Sequence, residues 1–84
     1  MTKSVFTSAY HDFLELLIEV RQKKSITQMQ LAKKLKKPQS YISKYESGER
    51  RLDIIETGDI LKELDISYVD FIKQLEKKSN KKSP

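Results

Sequence analysis

The stretch from Thr27 to Gly48, TQMQLAKKLKKPQSYISKYESG, decides how this chain is read. It opens on Thr27 with Gln30 three residues on. In that pattern the hydroxyl accepts from a free N–H of the first helical turn and the amide side chain returns the bond. Leu31, Ala32 and Leu35 then share one face of a short helix. Lys36-Lys37-Pro38 interrupts it, because Pro38 disfavours helical geometry at Lys37 and presents a fixed φ for starting the next helix. That second helix is expected from about Gln39 to Ser47, with Gly48 ending it. Ala32 and Ile42, ten residues apart across the turn, are the right sizes for the two helices to cross closely. Two short helices at this spacing make a helix-turn-helix.

Arg21, Thr27, Gln28, Leu31, Ala32, Leu35, Gln39, Ser40, Ile42, Ser43, Glu46 and Gly48 together resemble the Cro/cI-like, or XRE-like, family of phage-repressor-type domains. The likeness runs from roughly Phe13 to Leu75 and is carried by the joint spacing. It implies an all-α, five-helix, phage-repressor-like fold that binds DNA. It also implies that Gln39, Ser40 and Lys44 meet bases and that Gln28 grips a phosphate. An arginine and a glutamate at the positions of Arg21 and Glu46 are expected to pair. The chain departs from the family at Lys36, where glycine is usual; a left-handed backbone there costs a lysine about 1 kcal/mol.

Charge points the same way. The formal net charge is only +5, but its distribution is uneven: −2 over residues 1–20, +8 over 21–51, −5 over 52–70 and +4 over 71–84. Positive charge concentrates on the segment that carries the motif, as a phosphate-facing surface requires. A lysine-rich solvated face gives the same count, and the motif favours the functional reading. With no cysteine and one histidine, His11, neither a disulfide framework nor a thiolate metal site is available. No metal and no cofactor are expected. Apolar runs are short and the N-terminus lacks a signal-peptide pattern, so no membrane association and a cytoplasmic location are expected.

The 84 residues form one domain, near the lower limit for a self-sufficient core, which dimerisation would relieve. Its boundaries are read as 1–78, with a basic, unstructured tail over 79–84. No segment alternates as a half-buried strand does, so the remaining elements are helices too. The first runs from about Ser8 to Lys23. Its apolar arc, holding Phe6, Tyr10, Phe13, Leu14, Leu16, Leu17, Ile18 and Val20, is wider than one core face needs. Either other helices clasp it, or an edge near Leu16 or Ile18 meets a second subunit. Arg21 falls inside this arc and requires a fixed carboxylate partner, for which Glu46 is the candidate. The fourth helix follows Asp53, paired with Glu56 as a second capping box, and ends near Leu64. The fifth starts after Ser67 with Tyr68, Phe71, Ile72 and Leu75 on one stripe, serving either core or interface.

The helix from Gln39 to Ser47 has two faces. Tyr41, Ile42 and Tyr45 lie on one; Gln39, Ser40, Ser43, Lys44 and Ser47 lie on the other. The second face is short and polar, suited to a major groove about 12 Å wide. Gln39 can bond adenine bidentately, Lys44 can reach guanine O6 and N7, and Ser40 and Ser43 suit bases or phosphates. Lys37, Arg50 and Arg51 flank this helix as candidate phosphate clamps, with Gln28 at the start of the preceding one. Each side chain alone reads as solvated; together, on one face of a matched motif, they read as a DNA surface. Tyr41 either packs or touches the backbone, while His11 and Met29 carry no assigned role.

The expected function is therefore a sequence-specific regulator that binds double-stranded, palindromic DNA as a homodimer, with the Gln39–Ser47 helix in the major groove. It would regulate by occupying promoter DNA or by contacting polymerase. A competing expectation is an antitoxin-like or other protein-interaction module with weak DNA binding, its main partner a toxin or another regulator. An enzyme is not expected: no nucleophile–base pairing, metal cluster or glycine-rich phosphate loop is present.

Overall fold

The computed structural model describes residues 7–82, with side chains through Ser79. Five helices follow in order: α1 Ser8–Lys23, α2 Gln28–Leu35, α3 Gln39–Ser47, α4 Ile54–Glu63 and α5 Tyr68–Lys82. No strand occurs among the described residues. Phe6, placed on the apolar arc of the first helix, lies outside them.

Local chemistry sets most helix ends. Thr27 Oγ1 accepts from the N–H of Gln30 at 3.0 Å, and Gln30 Oε1 accepts from the N–H of Thr27 at 2.9 Å. Asp53 and Glu56 form the same reciprocal box at the start of α4. α1 is capped more simply, by the Thr7 hydroxyl accepting from the N–H of Tyr10. α3 begins directly after Pro38 and ends at Gly48, where φ is +89°.

α1, α2 and α4 end alike, on the left-handed residues Ser25, Lys36 and Asp65, each with φ near +59°. In each case the following N–H reaches back five residues: Ile26 to the Arg21 carbonyl, Lys37 to that of Ala32, Ile66 to that of Leu61. These bonds satisfy carbonyls that a helix end leaves free. Lys36 thus adopts the conformation for which glycine is better suited, and the short turn between α2 and α3 is preserved.

The core gathers Leu14, Leu17 and Val20 of α1, Leu31 and Ala32 of α2, Ile42 and Tyr45 of α3, Ile60 and Leu61 of α4, and Phe71 of α5. α1 packs against both α3 and α5, so its wide apolar arc is clasped between helices. Leu16 is buried within this chain, which removes it as the edge of a subunit contact; Ile18 is half-buried. The stripe on α5 divides: Phe71 is fully buried and stacks edge-on against Phe13, whereas Tyr68, Val69 and Ile72 remain exposed. Lys78 fastens α5 to α1 through Glu15 and Glu19, at 3.2 and 3.0 Å. Helical backbone continues past Ser79, where the tail was expected to start, as far as Lys82, and Ser79 Oγ donates to the buried Asp12 at 3.4 Å. Ser83 and Pro84 lie outside the described residues.

Candidate nucleic-acid interface

α3 presents the two faces that its sequence pattern sets. Ile42 and Tyr45 are fully buried, while Gln39, Ser40, Ser43, Lys44 and Ser47 are exposed along the outer face. α2 crosses behind α3, with Ala32 and Ile42 both buried where the helices meet. A helix of nine residues held in this way offers a rigid polar ridge of groove width.

The ridge is oriented by a chain of hydrogen bonds. Arg21, only 8% exposed, donates from Nε to Glu46 Oε2 at 2.7 Å and from Nη2 to Glu46 Oε1 at 3.2 Å. Its Nη1 donates to the Ile26 carbonyl at 2.8 Å. One guanidinium thereby ties together the end of α1, the segment before α2, and α3. Its fork fixes angle as well as distance. Glu46 Oε1 also accepts from Gln28 Nε2 at 2.7 Å, and Gln28 Oε1 accepts from Gln39 Nε2 at 3.3 Å. Gln39, at the exposed start of α3, is therefore linked through Gln28 to the buried ion pair. The bonds to Glu46 and Gln39 use one donor and one acceptor site of the Gln28 amide, leaving its second N–H outside this network.

A second cluster surrounds Tyr41. Lys37 Nζ lies 5.3 Å from the ring centroid and the Arg50 guanidinium 4.9 Å, so a single aromatic face system holds cations from the turn and from the segment after α3. Arg50 Nη2 donates to Glu56 Oε2 at 2.6 Å. That bond holds the Glu56 carboxyl below the usual glutamate range, assisted by the N–H of Asp53. Burial raises the Tyr41 phenol, and the nearby Glu56 carboxylate adds to the effect. Arg51 takes the opposite direction: its guanidinium stacks 4.1 Å over the ring of Tyr10 at the start of α1. The Tyr10 hydroxyl in turn accepts from the N–H of Leu52 at 3.1 Å.

The candidate residues thus separate into four groups. Gln28, Gln39, Arg21 and Glu46 meet in one network; Lys37 and Arg50 meet on Tyr41; Arg51 stands apart on α1. Ser40, Ser43 and Lys44 occupy the open ridge. One participant, Glu56, carries no functional signal in the sequence beyond its helix cap, while Tyr41, for which packing and backbone contact are both open in the sequence, is half-buried and holds the two cations. For Glu56 the available signal is Arg50, six residues before it on the connecting segment. Among the described residues, no group of acidic or histidine side chains is arranged to hold a metal ion. No described helix is long and apolar enough to cross a membrane.

Comparison with known proteins gives this surface its context. The helix-turn-helix family matches residues 17–71. No curated protein matches the chain. Among solved structures, an XRE-family like protein from Pseudomonas syringae pv. tomato str. DC3000 shares 40% identity over 82% of this chain and 84% of its own, with a TM-score of 0.78. The restriction-modification controller protein C.Esp1396I shares 30% identity over 90% of this chain and 99% of its own, with a TM-score of 0.83. The same controller, as a tetramer in complex with its natural 35 base-pair operator, superposes with a TM-score of 0.80 at 30% identity, over 87% and 96% of the two chains. With its motif, its five helices and these relatives in agreement, the chain belongs to the XRE family of helix-turn-helix proteins.

Proposed function

We propose that this protein is a sequence-specific, non-catalytic DNA-binding regulator of transcription that acts in the cytoplasm as a homodimer on palindromic DNA. The observation that carries this reading is the exposed polar ridge of α3, anchored from behind by the Arg21–Glu46–Gln28–Gln39 chain. The operator-bound controller of the same fold supports it. Gln39, Ser40, Ser43 and Lys44 read bases. Gln28, Lys37 and Arg50 hold phosphates beside them; Arg51, stacked on Tyr10, contributes charge to the same strand from further back.

Two copies are needed because of size. The domain measures 39 × 30 × 22 Å and carries one reading helix, whereas successive major-groove faces lie about 34 Å apart. The proposed seam is α5 around Val69, Ile72 and Leu75. Val69 and Ile72 are 62% and 46% exposed, and the patch continues onto α4 through Tyr68, whose hydroxyl donates to the Ile54 carbonyl at 2.7 Å. Contiguous exposed apolar surface on a small domain marks an interaction site.

Selection of bound fragments from a random DNA pool tests the reading. The expected result is a recovered site with two-fold symmetry and half-sites one helical turn apart. Recovery of no site, with binding equally weak to all DNA, favours a protein-interaction module whose main partner is a toxin or another regulator.

A further inference from the structure

Glu56 stands where two tasks meet. Its Oε1 accepts from the N–H of Asp53 at 3.0 Å, completing the cap of α4, and its Oε2 accepts from Arg50 Nη2 at 2.6 Å. The cap alone does not need a carboxylate: α2 carries the same reciprocal box with Gln30, a neutral amide, in the equivalent place. The charge of Glu56 is therefore free to serve Arg50. Arg50 is held on three sides, by Glu56, by the Arg51 carbonyl at 3.3 Å and by the Tyr41 ring, which it shares with Lys37.

We propose that Glu56 is a specificity-determining residue, which occupies the Arg50 guanidinium and releases it to DNA only when a phosphate is seated between Arg50 and Lys37. The inference rests on the DNA-binding reading above. A guanidinium that leaves a carboxylate for a phosphate exchanges one charge-assisted bond for another, with little net gain. The exchange becomes favourable where Lys37 adds a second cation to the same phosphate, which requires α3 to be in register with the groove. On DNA out of register Arg50 stays with Glu56, and the carboxylate is itself repelled by the backbone. Glu56 thus lowers affinity for arbitrary DNA more than affinity for the preferred site, and acts through Arg50.

The test uses the full chain with Glu56→Gln, Arg50→Met and the double variant, each bound to the recovered site and to scrambled duplex over a range of salt, with thermal melting as a folding control. Glu56→Gln keeps the helix cap, as Gln30 does in α2. Its expected effect is a salt slope on scrambled DNA steeper by roughly one unit, equivalent to about eightfold tighter non-specific binding at 0.1 M salt. Affinity for the preferred site rises less, so the specificity ratio falls. In the Arg50→Met background the Glu56→Gln effect disappears. Arg50→Met alone costs more on the preferred site than on scrambled DNA, an arm that stands even if Glu56→Gln melts early. An unchanged specificity ratio, weaker binding to both DNAs by Glu56→Gln, or an equal effect with and without Arg50 overturns the inference while leaving the DNA-binding reading intact. Failure of the unaltered protein to bind any duplex overturns both.

Discussion

Single residues in this fold carry strain and charge that can be measured one at a time. Lys36 sits at φ +59°, where a side chain costs about 1–2 kcal/mol, while glycine adds less than about 1 kcal/mol of unfolded-chain entropy. Lys36→Gly is therefore expected to raise the urea midpoint, by about 0.5–1 kcal/mol in stability. The hydroxyl of fully buried Tyr45 finds no hydrogen-bond partner among the described residues, and burial pushes its pKa well above the ordinary tyrosine value. Tyr45→Phe removes an unsatisfied polar group without changing shape. It should be neutral or stabilising by up to about 1–3 kcal/mol in the same denaturation, and a clear loss of stability would show that the hydroxyl is paired in solution. For Glu56 the folded carboxyl ionises more readily than the unfolded one, because Arg50 favours its charged form. The stability it adds is complete above the unfolded glutamate pKa and is lost as pH falls through the lower folded value. A carboxyl titration followed by NMR should place its midpoint below that of an ordinary glutamate, and Arg50→Met should move it back up.

At the scale of elements, the Arg21–Glu46 pair decides how α3 is held. Removing one partner leaves a charge uncompensated beside the core and should cost about 3–5 kcal/mol, whereas matched apolar replacement of both should cost much less. A double-mutant cycle by urea denaturation, with Arg21→Met, Glu46→Leu and both, is expected to show strong coupling; additivity would mean the bond seen here contributes nothing. This pair was legible in the sequence because Arg21 falls on an apolar arc that cannot tolerate it alone. The helix limits were legible too, since Thr27 with Gln30 and Asp53 with Glu56 act within one turn of chain. The bonds from Gln28 to Glu46 and Gln39, and the stacking of Lys37 and Arg50 on one tyrosine, were not. They depend on the angle at which α2 lies against α3 and on the course of the segments flanking α3, which no local pattern encodes. Arg51 illustrates the limit: adjacent to Arg50 in sequence, it turns to Tyr10, whose hydroxyl also accepts from the next residue's N–H, so the connecting segment runs against the start of α1. The helical backbone through Lys82 was equally hidden, since the polar residues after Leu75 show no periodicity, while the contacts of Lys78 and Ser79 with α1 support the helix.

The whole molecule presents a basic surface on α2, α3 and the following segment, and an apolar patch on α5 that continues onto α4. If the patch is the dimer seam, Val69→Lys should leave melting of the isolated domain nearly unchanged, because Val69 is largely exposed, yet shift sedimentation towards the monomer and weaken binding to a symmetric site. The central claim, that the outer face of α3 reads bases while its flanks hold the backbone, is tested most directly by comparing Gln39→Ala and Lys44→Ala with Lys37→Ala on the recovered site and on scrambled duplex. Gln39→Ala and Lys44→Ala should each cost about 1–3 kcal/mol on the preferred site and almost nothing on scrambled DNA. Lys37→Ala should weaken both, more on the preferred site where the release of Arg50 depends on it, and lower the salt slope on scrambled duplex by roughly one unit. Equal losses on both duplexes from all three variants would contradict the account.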